Sequence, residues 1–312
     1  MFEIKRYTPS DKLLWNQFLE RAKNGTFLFN RNYMDYHADR FEDHSMVILY
    51  HDHVFALLPA NIKEDVLYSH QGLTYGGLIT DKHATIEKIM VLFQELNDHL
   101  RREGLQRVVY KALPWIYHRI PAEEDLYALT EVCHARLITR EISSTIFLQH
   151  QLPFQESRKS GLRKAKRAGL TVKESDDIDT FWTILDNNLS ARYHTHPVHS
   201  CAELKLLKSR FPKLIRLFMT FRQDEALGGT LIYDTGQVIH TQYISATPEG
   251  KALGALDLLF DHILHEEYKD REVFDFGKST EDNGLYLNQS LIFQKEGFGG
   301  RGVVYDTYEW TL

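Results

Sequence analysis

The chain has 312 residues, 43% hydrophobic and 26% charged with only 8 prolines, the composition of a folded protein without a disordered arm. A formal charge of −6 excludes bulk nucleic-acid coating while leaving room for a local basic patch that holds a phosphate. Two cysteines, Cys133 and Cys201, stand in no CxxC or Cys/His finger spacing, so neither a disulfide framework nor a structural zinc site is indicated and no metal is expected. The start lacks an apolar signal core and no apolar run nears the roughly eighteen residues of a bilayer span, so a cytoplasmic protein without membrane insertion is expected.

The length suits two hydrophobic cores of about 150 residues each. Residues 2–7 alternate as an opening strand, and Ser10 or Asp11 caps a helix with Leu13, Leu14, Trp15, Phe18 and Leu19 on one face. Thr26-Phe-Leu-Phe-Asn30 reads as a short extended segment, and Arg31 begins a second short helix. Strands are expected at 46–50, 54–61 and 66–70, turned at His51-Asp52-His53 and Glu64-Asp65. Thr85 then opens a long amphipathic helix with Ile89, Met90, Leu92, Phe93, Leu96 and Leu100 inward, stopped by Gly104. A strand at 107–111, an acidic helix near 123–129 and two strand-like runs over 135–148 complete the half.

The second half repeats this order. A basic helix at 154–169 leads into a strand at 170–174 and helices at 177–190 and 202–211. Strands at 215–221, 226–233 and 238–245 follow, then a long helix at 256–268, a strand at 273–276, a helix from about Leu285 and a last strand at 303–310. Such a duplication is too long-period for a solenoid and fits paired domains, 1–150 and 151–312. In open α/β sheets ligands sit beyond the carboxyl ends of strands, which directs attention to the loop Lys278-Ser279-Thr280-Glu281-Asp282-Asn283-Gly284.

The element order, the Gly236-centred hairpin, Asp275-Phe-Gly277-Lys278-Ser279 and the helix running into Lys295-Glu-Gly297-Phe298-Gly299 resemble the GNAT-fold acyltransferases. More narrowly they resemble the Fem-type branch, which carries two such domains in tandem. Thr26-Phe-Leu-Phe-Asn30, Leu58-Pro59 and Tyr75-Gly76-Gly77 are similar to that branch's N-terminal domain, and the basic run before Gly169-Leu-Thr-Val to the entry of its second. The resemblance spans nearly the whole chain through motifs that are each short.

It implies an α/β (α+β) fold of two tandem GNAT-like domains, each a mixed central sheet flanked by helices, and transfer of an acyl or aminoacyl group to a small-molecule or peptide amine. The donor would enter between splayed fourth and fifth strands of the second domain, where backbone N–H groups polarise its carbonyl. Lys278 and Ser279 would orient the reactants, and His199 would help neutralise the amine. Tyr75, Gly76, Tyr243, Asp275 and Lys295 would contact substrate. Coenzyme A-dependent relatives hold pyrophosphate on a Gly-rich loop opening the long helix. Here the matching stretch is Glu249-Gly250-Lys251-Ala-Leu-Gly254-Ala255, so Gly250, Lys251, Gly254 and Ala255 are assigned to the donor's phosphates, with the last small residue displaced. The tyrosine that protonates the leaving thiolate in many relatives is replaced by Phe293, leaving Tyr286 as its substitute. No segment has room for the helical arm of many tRNA-dependent relatives, so an acyl-CoA co-substrate is preferred to aminoacyl-tRNA. The alternatives are an aminoacyl-tRNA-dependent peptidyl transferase acting on a cell-wall precursor and a non-catalytic GNAT-like binding module. The acyl group, the acceptor and the oligomeric state stay open.

Two further clusters stand out. The run from Arg158 to Arg167 holds six cations in ten residues and reads either as a wall for an anionic group or as a solvated helix face. Tyr193-His194-Thr-His196-Pro-Val-His199-Ser-Cys201 gathers three imidazoles and a thiol in a spacing that fits no zinc pattern.

Overall fold

A computed structural model describes residues 1–193 and 196–312. Two compact units are present, one made of Met1–Ile142, Asp282–Leu285 and Val304–Leu312, the other of Ser143–Glu281 and Tyr286–Val303.

In the first unit, strands Phe2–Arg6, Met46–Tyr50, His53–Leu58 and Ile79–Thr80 form an antiparallel sheet in that order. The helix Ile86–Arg102 buries Ile89, Leu92, Phe93, Leu96 and Leu100, the stripe that its apolar spacing dictates. Strand Arg107–Lys111 pairs with the chain's last residues, Lys111 with Thr307 through Arg107 with Thr311. Trp310 is thereby buried in this unit's core, and its indole N–H donates to Asn97 Oδ1 at 3.0 Å. The segment 27–29, expected to be extended, is a 3-10 turn whose Phe29 N–H donates to Thr26 O at 3.1 Å.

Tyr75 and Gly76 serve packing in this unit. The Tyr75 ring lies 4.6 Å from that of Tyr117 and 5.8 Å from that of Phe29. A Cβ added at Gly76 would fall 1.5 Å from Ser69 O, so only glycine lets these backbones meet. Gly76→Ala should lower stability by about 2–4 kcal/mol, read as a reduced urea midpoint.

The second unit is built on strands Leu170–Ser175, Ile215–Arg222, Glu225–Asp234, Val238–Ala246 and Val273–Lys278, followed by residues 143–147. All neighbouring pairs are antiparallel except Val238–Ala246 with Val273–Lys278, which is parallel. Side chains alternate across the sheet. Phe218 and Ile232 pack with Leu259 and Phe260 of helix Ala255–His262, while a Cβ on Gly229 would touch Met219 and Phe181 of helix Ile178–Tyr193. Both faces are therefore covered and the strands read as nearly continuous apolar runs.

The expected helix from about Leu285 starts later, as Gln289–Gly297. Asn283 and Gly284 adopt left-handed conformations, φ 52° and 89°, which break any helix there. Thr280–Glu281 instead pairs with Tyr286–Leu287 in a small hairpin, and the Asn288 side chain caps the helix by accepting from Leu291 N at 3.0 Å. Among the described residues no helix is long and apolar enough to cross a membrane.

Candidate active site

The parallel pairing of Val238–Ala246 with Val273–Lys278 covers only Val238↔Val273, Ile239↔Phe274 and His240↔Asp275. Both strands lose regular register immediately beyond. Leu231 pairs with Tyr243 but Ile232 with Thr241, so Gln242 bulges out. Thr145 pairs with Asp275 but Ser143 with Lys278, so Phe276 and Gly277, the latter at φ 72°, bulge on the other side. A bulge thus stands on each of the two strands just beyond the last pair that joins them.

The apex of the parting is pinned by Asp275, which has no exposed surface. Its Oδ1 accepts from Ser143 Oγ at 2.5 Å and Thr145 Oγ1 at 3.0 Å, and its Oδ2 lies 2.9 Å from His240 Nδ1. One carboxylate thus ties three strands together, each bond made stronger by its charge.

Below the apex lies a cavity of about 530 Å³. Ile244, Phe260, Phe276, Leu291 and Phe298 are in its apolar wall, and Asn188, Ser245, Lys251, Glu281, Asn288, Gln294 and Lys295 supply its polar groups. The wall is rigid, because the Phe276 and Phe298 rings stack at 5.8 Å and Phe260 packs 5.0 Å from each.

Lys295 is the unusual member. It is 4% exposed, and its Nζ donates to Gly277 O and Lys278 O, both at 2.7 Å. The Gly277 bulge turns these carbonyls toward the lysine. Burial lowers the Lys295 pKa from 10.5 to about 7, against the opposing pull of the Asp275 charge. A tetrahedral Nζ with two bonds to carbonyls has one position left, which carries a proton or a lone pair depending on pH.

Lys278 lies at its strand's end and contributes its carbonyl to Lys295. Ser279 is 1% exposed and accepts from Asn288 N at 2.9 Å, while its Oγ has no hydrogen-bond partner among the described residues. Tyr286 is exposed on the hairpin, opposite Glu281. His199 and Tyr243 meet each other outside the cavity lining: the His199 backbone N–H donates to Tyr243 Oη at 3.3 Å, and that oxygen is 2.7 Å from His199 Nδ1. Burial raises the Tyr243 pKa. Tyr75 and Gly76 belong to the other unit. His194 lies outside the described residues, and among those described no group of His, Cys, Asp or Glu could hold a metal ion.

The stretch assigned to donor phosphates is a short helix, Pro248–Leu253, capped by Thr247. The Gly250 N–H donates to Thr247 Oγ1 at 3.0 Å and the Lys251 N–H to Thr247 O at 2.9 Å. Gly250 lets this turn rest on Leu227, whose carbonyl oxygen would lie 2.1 Å from an added Cβ. Gly254, at φ 81°, joins this helix to Ala255–His262, and a Cβ there would lie 2.3 Å from Gly161 O. Ala255 is fully buried. Lys251 alone of the four lines the cavity, with Nζ against Asn188 Oδ1.

The basic helix Glu156–Arg167 is partly neutralised. Arg158 pairs with Asp257 at 3.0 Å, Arg163 with Glu156 at 2.5 Å and Lys166 with Asp261 at 3.3 Å. Burial pushes Asp257 up to about 6.

Ser143, Thr145 and His240 are not among the residues singled out in the sequence, and Lys295, expected to contact substrate, lines the cavity. A Ser-Ser-Thr run between Ile142 and Ile146, and a lysine just before Gly297-Phe298, were the available signals.

Residues 155–283 match the family described as acetyltransferase (GNAT) domain. Among curated proteins none matches the chain. The fold is similar to that of FemX, with a TM-score of 0.69 at 11% identity over 99% of this chain and 97% of that one. It is similar to L-PGS from Bacillus licheniformis, with a TM-score of 0.62 at 13% identity over 98% and 92%. A tandem GNAT protein from the clavulanic acid biosynthesis pathway gives 0.56 at 11% identity over 100% and 98%. At such identities the likeness establishes the fold. Residues 155–283 therefore match the GNAT acetyltransferase-domain family, within a chain whose fold is like that of FemX and of a tandem GNAT protein.

Proposed function

We propose that the protein is an N-acyltransferase that moves an acyl group from an activated donor to an amine, with Lys295 as its proton-transfer group. The observation that carries this reading is a lysine with a pKa of about 7 inside the cavity where the strands part. General acid–base groups work best when their pKa lies near the working pH. The amine nitrogen attacks the donor carbonyl carbon, the C=O electron pair moves onto oxygen, and neutral Lys295 accepts the proton lost by the attacking nitrogen. When the oxyanion collapses, the bond to the leaving sulfur or oxygen breaks and the Lys295 ammonium returns that proton to it. Lys278 holds Lys295 through its carbonyl, and Asn288 and Gln294 supply polar contacts.

For the donor, an acyl thioester of coenzyme A suits the long apolar wall, with Lys251 at the cavity meeting a phosphate. Its phosphates would rely on that side chain, because the backbone N–H groups of Gly250 and Lys251 already serve Thr247. The same observation favours a second reading, an aminoacyl ester of tRNA, which brings no pyrophosphate. The acceptor is a small-molecule or peptide amine, and two free thiols, Cys133 and Cys201, support a reducing cytoplasm.

Thermal unfolding with acetyl-coenzyme A separates the donors. A ligand at 100 times its dissociation constant stabilises the native state by about 2.7 kcal/mol. On the thioester reading the melting temperature rises and Lys251→Glu abolishes the rise. No shift at millimolar ligand would sink that reading and leave transfer from charged tRNA to be assayed.

A further inference from the structure

We propose that the first unit carries a nucleotide-binding site in the groove between the Tyr50–His53 turn and the start of helix Ile86–Arg102. The groove has a volume of about 610 Å³ and shares no lining residue with the transfer cavity.

Its charge is the first argument. In a chain of formal charge −6, three permanent cations, Arg21, Lys82 and Lys88, line this groove against one carboxylate, Asp81. The carboxylate is engaged, since Arg21 Nε donates to Asp81 Oδ2 at 3.2 Å, and Arg21 Nη2 also donates to Val54 O at 3.4 Å. The guanidinium is thus held in place before any ligand arrives, the arrangement that suits phosphate recognition.

The wall is the second argument. Tyr50 and Phe55 line the groove, backed by Phe2, with ring centroids 5.0 Å from Phe2 to each and 6.0 Å between the two. Lys88 Nζ sits 5.3 Å from the Tyr50 ring centroid and 6.0 Å from that of Phe55. An aromatic floor under a cation is of no use to a simple inorganic anion. It does suit a planar base, which gains both from ring contact and from the neighbouring charge.

The turn is the third. His51 and Asp52 form a two-residue hairpin loop between Tyr50 and His53, with φ of 48° and 60°. Such loops need a positive φ at both positions, which Asn, Asp and His tolerate better than other side chains. The turn presents His51 and His53 to the groove, with His83 on the facing loop. Phosphate would meet Arg21, Lys82 and Lys88, the base would lie against Tyr50 with the buried Phe55 behind it, and the imidazoles would reach the sugar hydroxyls.

Isothermal titration of the full chain at low salt, with 5′-AMP, ribose 5-phosphate and inorganic phosphate as probes, tests this. We expect AMP to bind, ribose 5-phosphate and phosphate to bind at least about tenfold more weakly, and Lys88→Glu and His53→Glu each to weaken AMP about tenfold or more. Both changes are on accessible side chains, and circular dichroism would confirm that the variants fold. Lys251→Glu, in the other unit, should leave AMP binding unchanged. Equal affinity for phosphate and AMP would overturn the nucleotide assignment. AMP binding that is absent at millimolar concentration, or indifferent to Lys88→Glu and His53→Glu, would overturn the site.

Discussion

Replacing Lys295 by methionine is expected to reduce acyl transfer by about 10²- to 10⁴-fold, the range that a positioned acid–base group supplies. The wild-type pH–rate profile should show an inflection near pH 7, where the lysine exchanges its proton. Lys295→Arg keeps the charge and the donors to Gly277 O and Lys278 O, yet cannot deprotonate in this range. Residual activity in that variant should therefore lack the inflection. A structural lysine would give the opposite pattern, with arginine restoring the rate. The same shift has a consequence for stability. The folded pKa lies below the unfolded value of 10.5, so between pH 7 and 10.5 the unfolded chain binds more protons and folding stability rises with pH. The burial penalty is fully present below pH 7, and Lys295→Met should flatten this dependence when stability is measured by urea titration.

Truncating Asp275 to alanine is expected to cost about 3–5 kcal/mol, because it leaves His240, Ser143 and Thr145 with buried polar groups that have lost their shared acceptor. The parting of the strands depends on this apex, so transfer should fall with it. Asp275→Asn is the more informative change. It keeps the shape and removes the charge that raises the pKa of Lys295, so the inflection near pH 7 should move to lower pH. An unchanged inflection would mean that Asp275 does not act through Lys295, and an inflection moved upward would contradict the electrostatic account.

Much of this architecture was legible because it rests on local chemistry. The stripe from Ile89 to Leu100 specifies its helix, and the turn residues around Gln223 and Gly236 separate the strands that follow. The repeated element order pointed to a tandem fold. Other features arise only from pairing. The bulges at Gln242 and at Phe276–Gly277 exist because two strand pairs have mismatched registers, and no single strand's sequence records the mismatch. Asp275 was noticed for its place at a strand's end, but its partners stand on strands begun 35 residues and more than a hundred residues away. The glycines of 250 and 254 suggested a phosphate loop; their tight contacts are with Leu227 and Gly161, which only the folded chain brings near. Lys295 follows the same rule, since a lysine is ordinarily exposed and the carbonyls that hold its buried Nζ, Gly277 O and Lys278 O, stand on a strand 18 and 17 residues earlier.

The most direct test of the account is the titration of the Lys295 amine itself. Nitrogen-15 NMR of lysine-labelled protein, with the resonance assigned by its loss in Lys295→Arg, should give a midpoint of about 7. That result would place a proton-transfer group in the donor cavity at neutral pH. A midpoint at the ordinary value of 10.5 would contradict it and reduce Lys295 to a fixed positive charge.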